Sequence, residues 1–201
     1  MKISNNSRQR LHNILKLLLL HGLFFILGTA IFVFLFHTNL FKSINVFFYR
    51  GIVLLLVSCA LILLFQYIYK QKAHKTLFTN RDIILSIVLI FCFNIVFFTH
   101  LPVTADRSVS VFMLGYINTN PGKKITNEEM VQLFYDKYLN EYGEIDRRFN
   151  EQIISGNIIQ VGDGYQITKQ GRFLMKIYRF VATIFTVDEK LVSPTHPQKE
   201  N

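Results

Sequence analysis

The chain has 201 residues, 51% of them apolar, 14% aromatic and only 17% charged, and its mean hydropathy of +0.30 is too high for one soluble domain. The net charge of +9 lies wholly in the first hundred residues, where ten Lys and Arg face Asp82 alone. Residues 101–201 hold twelve basic and twelve acidic side chains, so the polar half is neutral and offers nucleic acid no overall attraction.

Residues 1–16 form a basic tail. Three apolar runs follow, over 17–36, 51–69 and 83–99, each close to the roughly 20 residues that cross about 30 Å of hydrocarbon as a helix. The first is too long for the core of a signal peptide, and no small-x-small cleavage site follows Phe36, so it is expected to stay as an anchor. Cys59 and Cys92 lie inside apolar runs and read as membrane-core thiols. Neither they nor the six histidines have CxxC or HExxH spacing, so no metal and no cofactor is expected.

Lys and Arg beside the spans set the expected orientation. Lys2, Arg8, Arg10 and Lys16 precede the first span, and Lys70, Lys72, Lys75 and Arg81 lie between the second and third. Only Lys42, Arg50 and Arg107 fall on the opposite face. The bias predicts a cytoplasmic N-terminus and, after three spans, an extracytoplasmic C-terminal domain. Inside the spans, Ser58, Gln66, Ser86 and Asn94 read as partners in helix-to-helix hydrogen bonds. His21, with no second intramembrane ionisable group to pair with, reads as a snorkelling side chain near the cytoplasmic edge.

A polar domain is expected over 101–187. The stretch between the third span and its first helix gathers His100, Asp106 and Arg107 at the membrane surface. These are candidate contacts to a lipid head group, or acid and base groups for an enzyme acting on a lipid phosphate. The simpler reading is that Pro102 stops the span, Asp106 caps the next helix and Arg107 snorkels. A helix is predicted over 107–117. Thr126 and Glu129 form a capping box for a second helix, with Val131, Phe134, Tyr135 and Tyr138 on its apolar face until Gly143. A third helix covers 144–155, with Ile145, Phe149, Gln152 and Ile153 on one side and Gly156 as its stop. Two short strands, 158–161 and 165–168, flank Gly162-Asp163-Gly164, where Asp-Gly is expected to supply the positive φ of a tight turn. A last helix covers 171–187, with Arg172, Lys176 and Arg179 in one stripe and Phe and Ile over much of the rest. It either packs on its own domain with the stripe in solvent, or lays its aromatic side on the bilayer with the cations on anionic head groups. The tail over 188–201 is polar and expected to be disordered.

The stretches ITNEEM, RRFNEQIISGNII and GYQITKQGRF resemble the second helix, third helix and wing of small bacterial winged-helix modules, over about 107–186. The fold class expected is therefore a membrane protein of three transmembrane α-helices followed by a small α+β winged-helix-like domain. The resemblance implies a recognition helix in which Arg147, Arg148, Asn150 and Gln152 would face base edges. Glu144, Asp146 and Glu151 stand among them and would repel phosphate. No Ser with a nearby His base, paired carboxylate or phosphate-cradling loop completes an active site. The function expected is that of an accessory or adaptor protein, in a bacterial inner membrane, contacting membrane lipid and a larger membrane protein. Nucleic acid is not the expected partner, and envelope polysaccharide or lipid-sugar assembly would fit. The alternative is a membrane-tethered transcription regulator with its C-terminal domain in the cytoplasm.

Overall fold

The computed structural model describes residues 5–73, 78–188, 190 and 192–194. Lys2 and Lys75 of the charge count, and most of the tail after Asp188, lie outside the described residues. The chain divides into two compact units, Met1–Pro121 and Gly122–Asn201.

The first unit is built on three long helices, α1 (Asn5–Phe36), α2 (Phe47–Ala73) and α3 (Asn80–His100), each packed against the other two. Helical stretches over Asn6–Phe36, Phe47–Lys72 and Asn80–Arg107 are long and apolar enough to cross a membrane. They outrun the predicted spans because the polar flanks are rich in Arg, Lys, Gln and Leu, which continue a helix readily. The interior holds Phe32, Leu54, Ile62, Ile90 and Phe98, together with the polar Ser58, Gln66, Ser86 and Asn94. The outside carries side chains such as Leu19, 74% exposed, and Ile26, 68% exposed. Polar groups inside and large aliphatic groups outside invert the order that water imposes, and this is the arrangement of a membrane protein.

Small residues set the helix spacing. Gly28 lies against Ile62 and Ile90, and its carbonyl accepts the Ser58 hydroxyl at 2.9 Å. Gly51 lies against the Phe98 ring, which stands among Phe32, Phe36, Phe47 and Phe48 at one end of the bundle. At that end Arg50 donates to the carbonyl of Phe36 at 3.4 Å, an acceptor that the end of α1 leaves free, and to those of Thr38 at 3.0 Å and Leu40 at 3.3 Å in the turn that follows.

Pro102 does not stop the third span. Leu101 stays in the right-handed helical region, the Ala105 N–H reaches the Leu101 carbonyl at 2.8 Å, and α4 (Pro102–Arg107) continues the helix to 28 residues. Proline is tolerated there because it begins a first turn, where its missing N–H has no helical partner to lose. The break comes at Ser108, which is extended and caps α5 (Val109–Thr119) by accepting the Val111 N–H at 3.2 Å. Asp106, expected as that cap, is not the capping residue. Both α4 and α5 group with the first unit.

In the second unit, α6 (Asn127–Leu133) starts at Thr126, whose hydroxyl accepts the Glu129 N–H at 3.2 Å. The Glu129 carboxylate takes Lys123 Nζ at 2.5 Å. From Phe134 to Glu141 the helix is wound as a π-helix, so the 3.6-residue period of the predicted apolar face is lost. Phe134 and Tyr138 stack at 4.8 Å, whereas Val131 and Tyr135 are exposed. Gly143 and Gly156, at φ +61° and +71°, bound α7 (Glu144–Ile154).

Strands β1 (Ile158–Val161) and β2 (Gly164–Ile167) pair antiparallel, with Ile158 opposite Ile167 and Val161 opposite Gly164. The two-residue turn is therefore Gly162-Asp163. Gly162 has φ +63° and Asp163 is not among the positive-φ residues, so the turn is type II′, led by glycine, and not the predicted Asp-Gly turn. Thr168 leaves the strand to cap α8 (Lys169–Ile184), its hydroxyl accepting the Gly171 N–H at 3.0 Å and donating to the Gly156 carbonyl at 2.7 Å.

Candidate functional site

Helix α7 presents a different face from the one its apolar residues predict. Ile145 and Ile153 are exposed, while Glu144 and Glu151 are buried. Arg147 pairs with Glu144 at 2.9 Å and Glu151 at 3.7 Å, and Arg148 with Glu144 at 2.9 Å and Glu151 at 3.0 Å. The spacings of three and four residues place all four groups on one helical face. Burial alone would lower the Arg148 pKa, but hydrogen bonds to Glu151 and Tyr138 and the charges of Glu151 and Glu144 hold it above the ordinary value. Both arginines are thus committed to carboxylates. Gln152 accepts the Asn157 amide at 2.8 Å, and of the four recognition-helix candidates only Asn150 is exposed.

On α8 the structure keeps Arg172, Lys176 and Arg179 exposed, and Arg172 also donates to the Ile167 carbonyl at 2.9 Å. Gly171 and Ala182 are buried, Leu174 and Met175 are partly so, and Phe173, Ile177, Phe180 and Ile184 are exposed. The helix has two apolar faces, one on its own domain and one outward. The sequence treated these as alternatives because a mixed helix permits either.

His100 Nδ1 lies 2.9 Å from the Val96 carbonyl in its own helix, and the Arg107 guanidinium lies 3.9 Å from the neighbouring Asp106.

Sequence reasoning missed a polar group where α1 meets the start of α3. His21 Nδ1 lies 2.5 Å from Ser86 Oγ, and Nε2 lies 3.6 Å from Asp82 Oδ1. Asp82 also accepts the Thr79 N–H at 2.7 Å and the Thr79 hydroxyl at 2.6 Å. His21 therefore has an ionisable partner, and a serine with an adjacent histidine does exist. Both corrections turn on contacts across more than 60 residues of chain. Asp82 is a span-flanking charge in sequence, and only its position one turn before Ser86 on a helix hinted that both face the same neighbour. Imidazole between a hydroxyl and a carboxylate is the order of a nucleophile, base and orienting acid. Here, however, Ser86 is buried in mid-helix, and the group as built ties α1 to α3. Deeper in the bundle, Asn94 Nδ2 donates to Thr29 Oγ1 at 3.1 Å, while both polar atoms of the fully buried Gln66 have no hydrogen-bond partner among the described residues. Among the described residues no cluster of three or more His, Cys, Asp or Glu is placed to hold a metal ion.

The chain matches no protein-family model, and neither a curated protein nor a solved structure is detectably similar to it.

Proposed function

We propose that this chain is a membrane-anchored accessory protein of a bacterial inner membrane. In this reading its N-terminus is cytoplasmic, and a winged-helix-like C-terminal domain on the outer face binds a partner protein or a lipid-linked substrate, in work such as envelope polysaccharide or lipid-sugar assembly. Within the second unit the order helix, helix, hairpin, helix supports the fold, and the Lys and Arg bias supports the orientation. One observation carries the choice of binding over gene regulation. The arginines of α7 are neutralised by Glu144 and Glu151, while the outward surface of α8 carries unpartnered Phe and Ile side chains, the mark of a site for protein or membrane contact.

Paired reporters fused after Asn201, one active only in the cytoplasm and one only outside it, test the reading. An external C-terminus is expected. A cytoplasmic one overturns the orientation and makes a DNA-binding regulator the reading to pursue, with low-salt DNA binding as its assay.

A further inference from the structure

Helix α8 has three separable sectors. At 100° per residue, Gly171 and Ala182 fall together on the face turned to its own domain. On the opposite side, Phe173, Ile177, Phe180 and Ile184 occupy a sector of about 60°, and Arg172, Lys176 and Arg179 occupy a second sector of about 60° on the flank between the two faces. Phe173 is 65% and Phe180 66% exposed. Lys169 adds a fourth cation, and the helix contains no acidic residue.

We propose that the outward half of α8 is an interfacial lipid-binding surface, which seats Phe173, Ile177, Phe180 and Ile184 among acyl chains and sets Arg172, Lys176 and Arg179 against anionic phospholipid head groups. A bilayer is apolar a few ångströms below a layer of phosphates, and an apolar sector bordered by a purely cationic one has the same order. The long stems of Lys176 and Arg179 let their charges rise to the phosphates while the rings sink. A protein partner would meet a rim of mixed charge, which α8 lacks. The inference deepens the membrane-surface role proposed above and rests on α1–α3 spanning a bilayer. It does not depend on which side the C-terminus occupies.

The test uses the full chain, one copy per lipid nanodisc, with Cys59→Ala and Cys92→Ala and a fluorescent label on Ile177→Cys. Acrylamide, a neutral aqueous quencher, reports exposure of the outward face. Discs of phosphatidylcholine alone are compared with discs containing about one third phosphatidylglycerol. Quenching is expected to fall in the anionic discs and to recover near 1 M salt, where the screening length shrinks to about 3 Å. Lys176→Gln with Arg179→Gln leaves the Arg172 bond to the hairpin in place, and is expected to weaken partitioning about fivefold for each cation removed. Equal and high quenching in both discs overturns the proposal. Equal protection in both discs means that the cations do not select anionic head groups, and it also overturns the proposal. So does protection by inorganic phosphate in phosphatidylcholine discs, which marks an anion site instead of a lipid surface. Because a disc exposes both leaflets, these failures are independent of the topology result.

Discussion

Gly171 passes so close to Asn157 that a Cβ at position 171 would lie 2.1 Å from the Asn157 carbonyl oxygen. That oxygen also accepts the Thr168 N–H at 3.0 Å. The start of α8 is therefore pressed onto the chain where α7 gives way to β1, and only glycine leaves room. The spacing of Thr168 and Gly171 in the stretch Ile167-Thr168-Lys169-Gln170-Gly171 has a physical cause: Thr168 caps the helix and Gly171 lets it approach. Gly171→Ala is expected to destabilise the C-terminal unit by about 3 kcal/mol, because the obstructing atom is backbone and cannot rotate away. Proteolytic susceptibility of the hairpin, compared with that of α1–α3, measures it.

Gly51 and Phe98 make the corresponding contact in the helical bundle, where a Cβ at position 51 would come 2.0 Å from the ring. Gly51→Ala should cost about 2 kcal/mol by displacing Phe98, and Phe98→Leu should relieve most of that cost in the double variant. A double-mutant cycle of thermal stability in detergent reads the coupling. Additive costs would show that Phe98 does not set the approach of α2 to α3.

The Glu144, Glu151, Arg147 and Arg148 network predicts a gain as well as a loss. Replacing both glutamates by glutamine should lower the stability of the C-terminal unit by about 2 kcal/mol, below the usual cost of breaking a buried pair because the arginines are partly solvated. It should also release two cations. Low-salt electrophoretic shifts of nonspecific DNA are expected to appear in the double variant and to be absent in the parent. A parent that already binds would show that pairing does not silence α7.

Asp82 serves both the Thr79 cap and His21. Asp82→Ala is expected to cost about 1–2 kcal/mol through the lost cap alone, and more when His21 is present than in a His21→Leu background. Unfolding in detergent of the four proteins measures the difference. Equal costs in both backgrounds would mean that the 3.6 Å approach of His21 to Asp82 carries no energy.

Glu128 supplies a pH dependence. Its own backbone N–H and the Thr126 hydroxyl hold its carboxyl below the ordinary value of 4.5, as expected of an acid in the first turn of a helix. A lowered folded-state pKa means that its contribution is present above 4.5 and is lost as the pH falls through the folded value. Glu128→Gln should therefore flatten the loss of α6 stability on the acid side and leave the neutral side unchanged in slope. Backbone amide exchange at residues 127–133 follows it.

What the sequence alone determined was local. Three apolar runs of membrane length, the Thr126 cap, the Gly156 stop, the hairpin and the cationic stripe of α8 each depend on residues within a turn or two of one another. Short-range pattern is enough for such features. Even there, neighbours shifted the details: the hairpin turns on Gly162, and Pro102 opens a short helix that prolongs the third apolar stretch. Tertiary structure decided which faces are inside. It buried Glu144 and Glu151 in place of Ile145, brought His21 to Ser86 and Asp82, placed Gly171 against Asn157, and left the Phe and Ile face of α8 outward. The His21 contacts join segments more than 60 residues apart, and a helix with two apolar faces is compatible with several partners. Burial is a property of the assembled neighbours, so no single stretch of sequence encodes it.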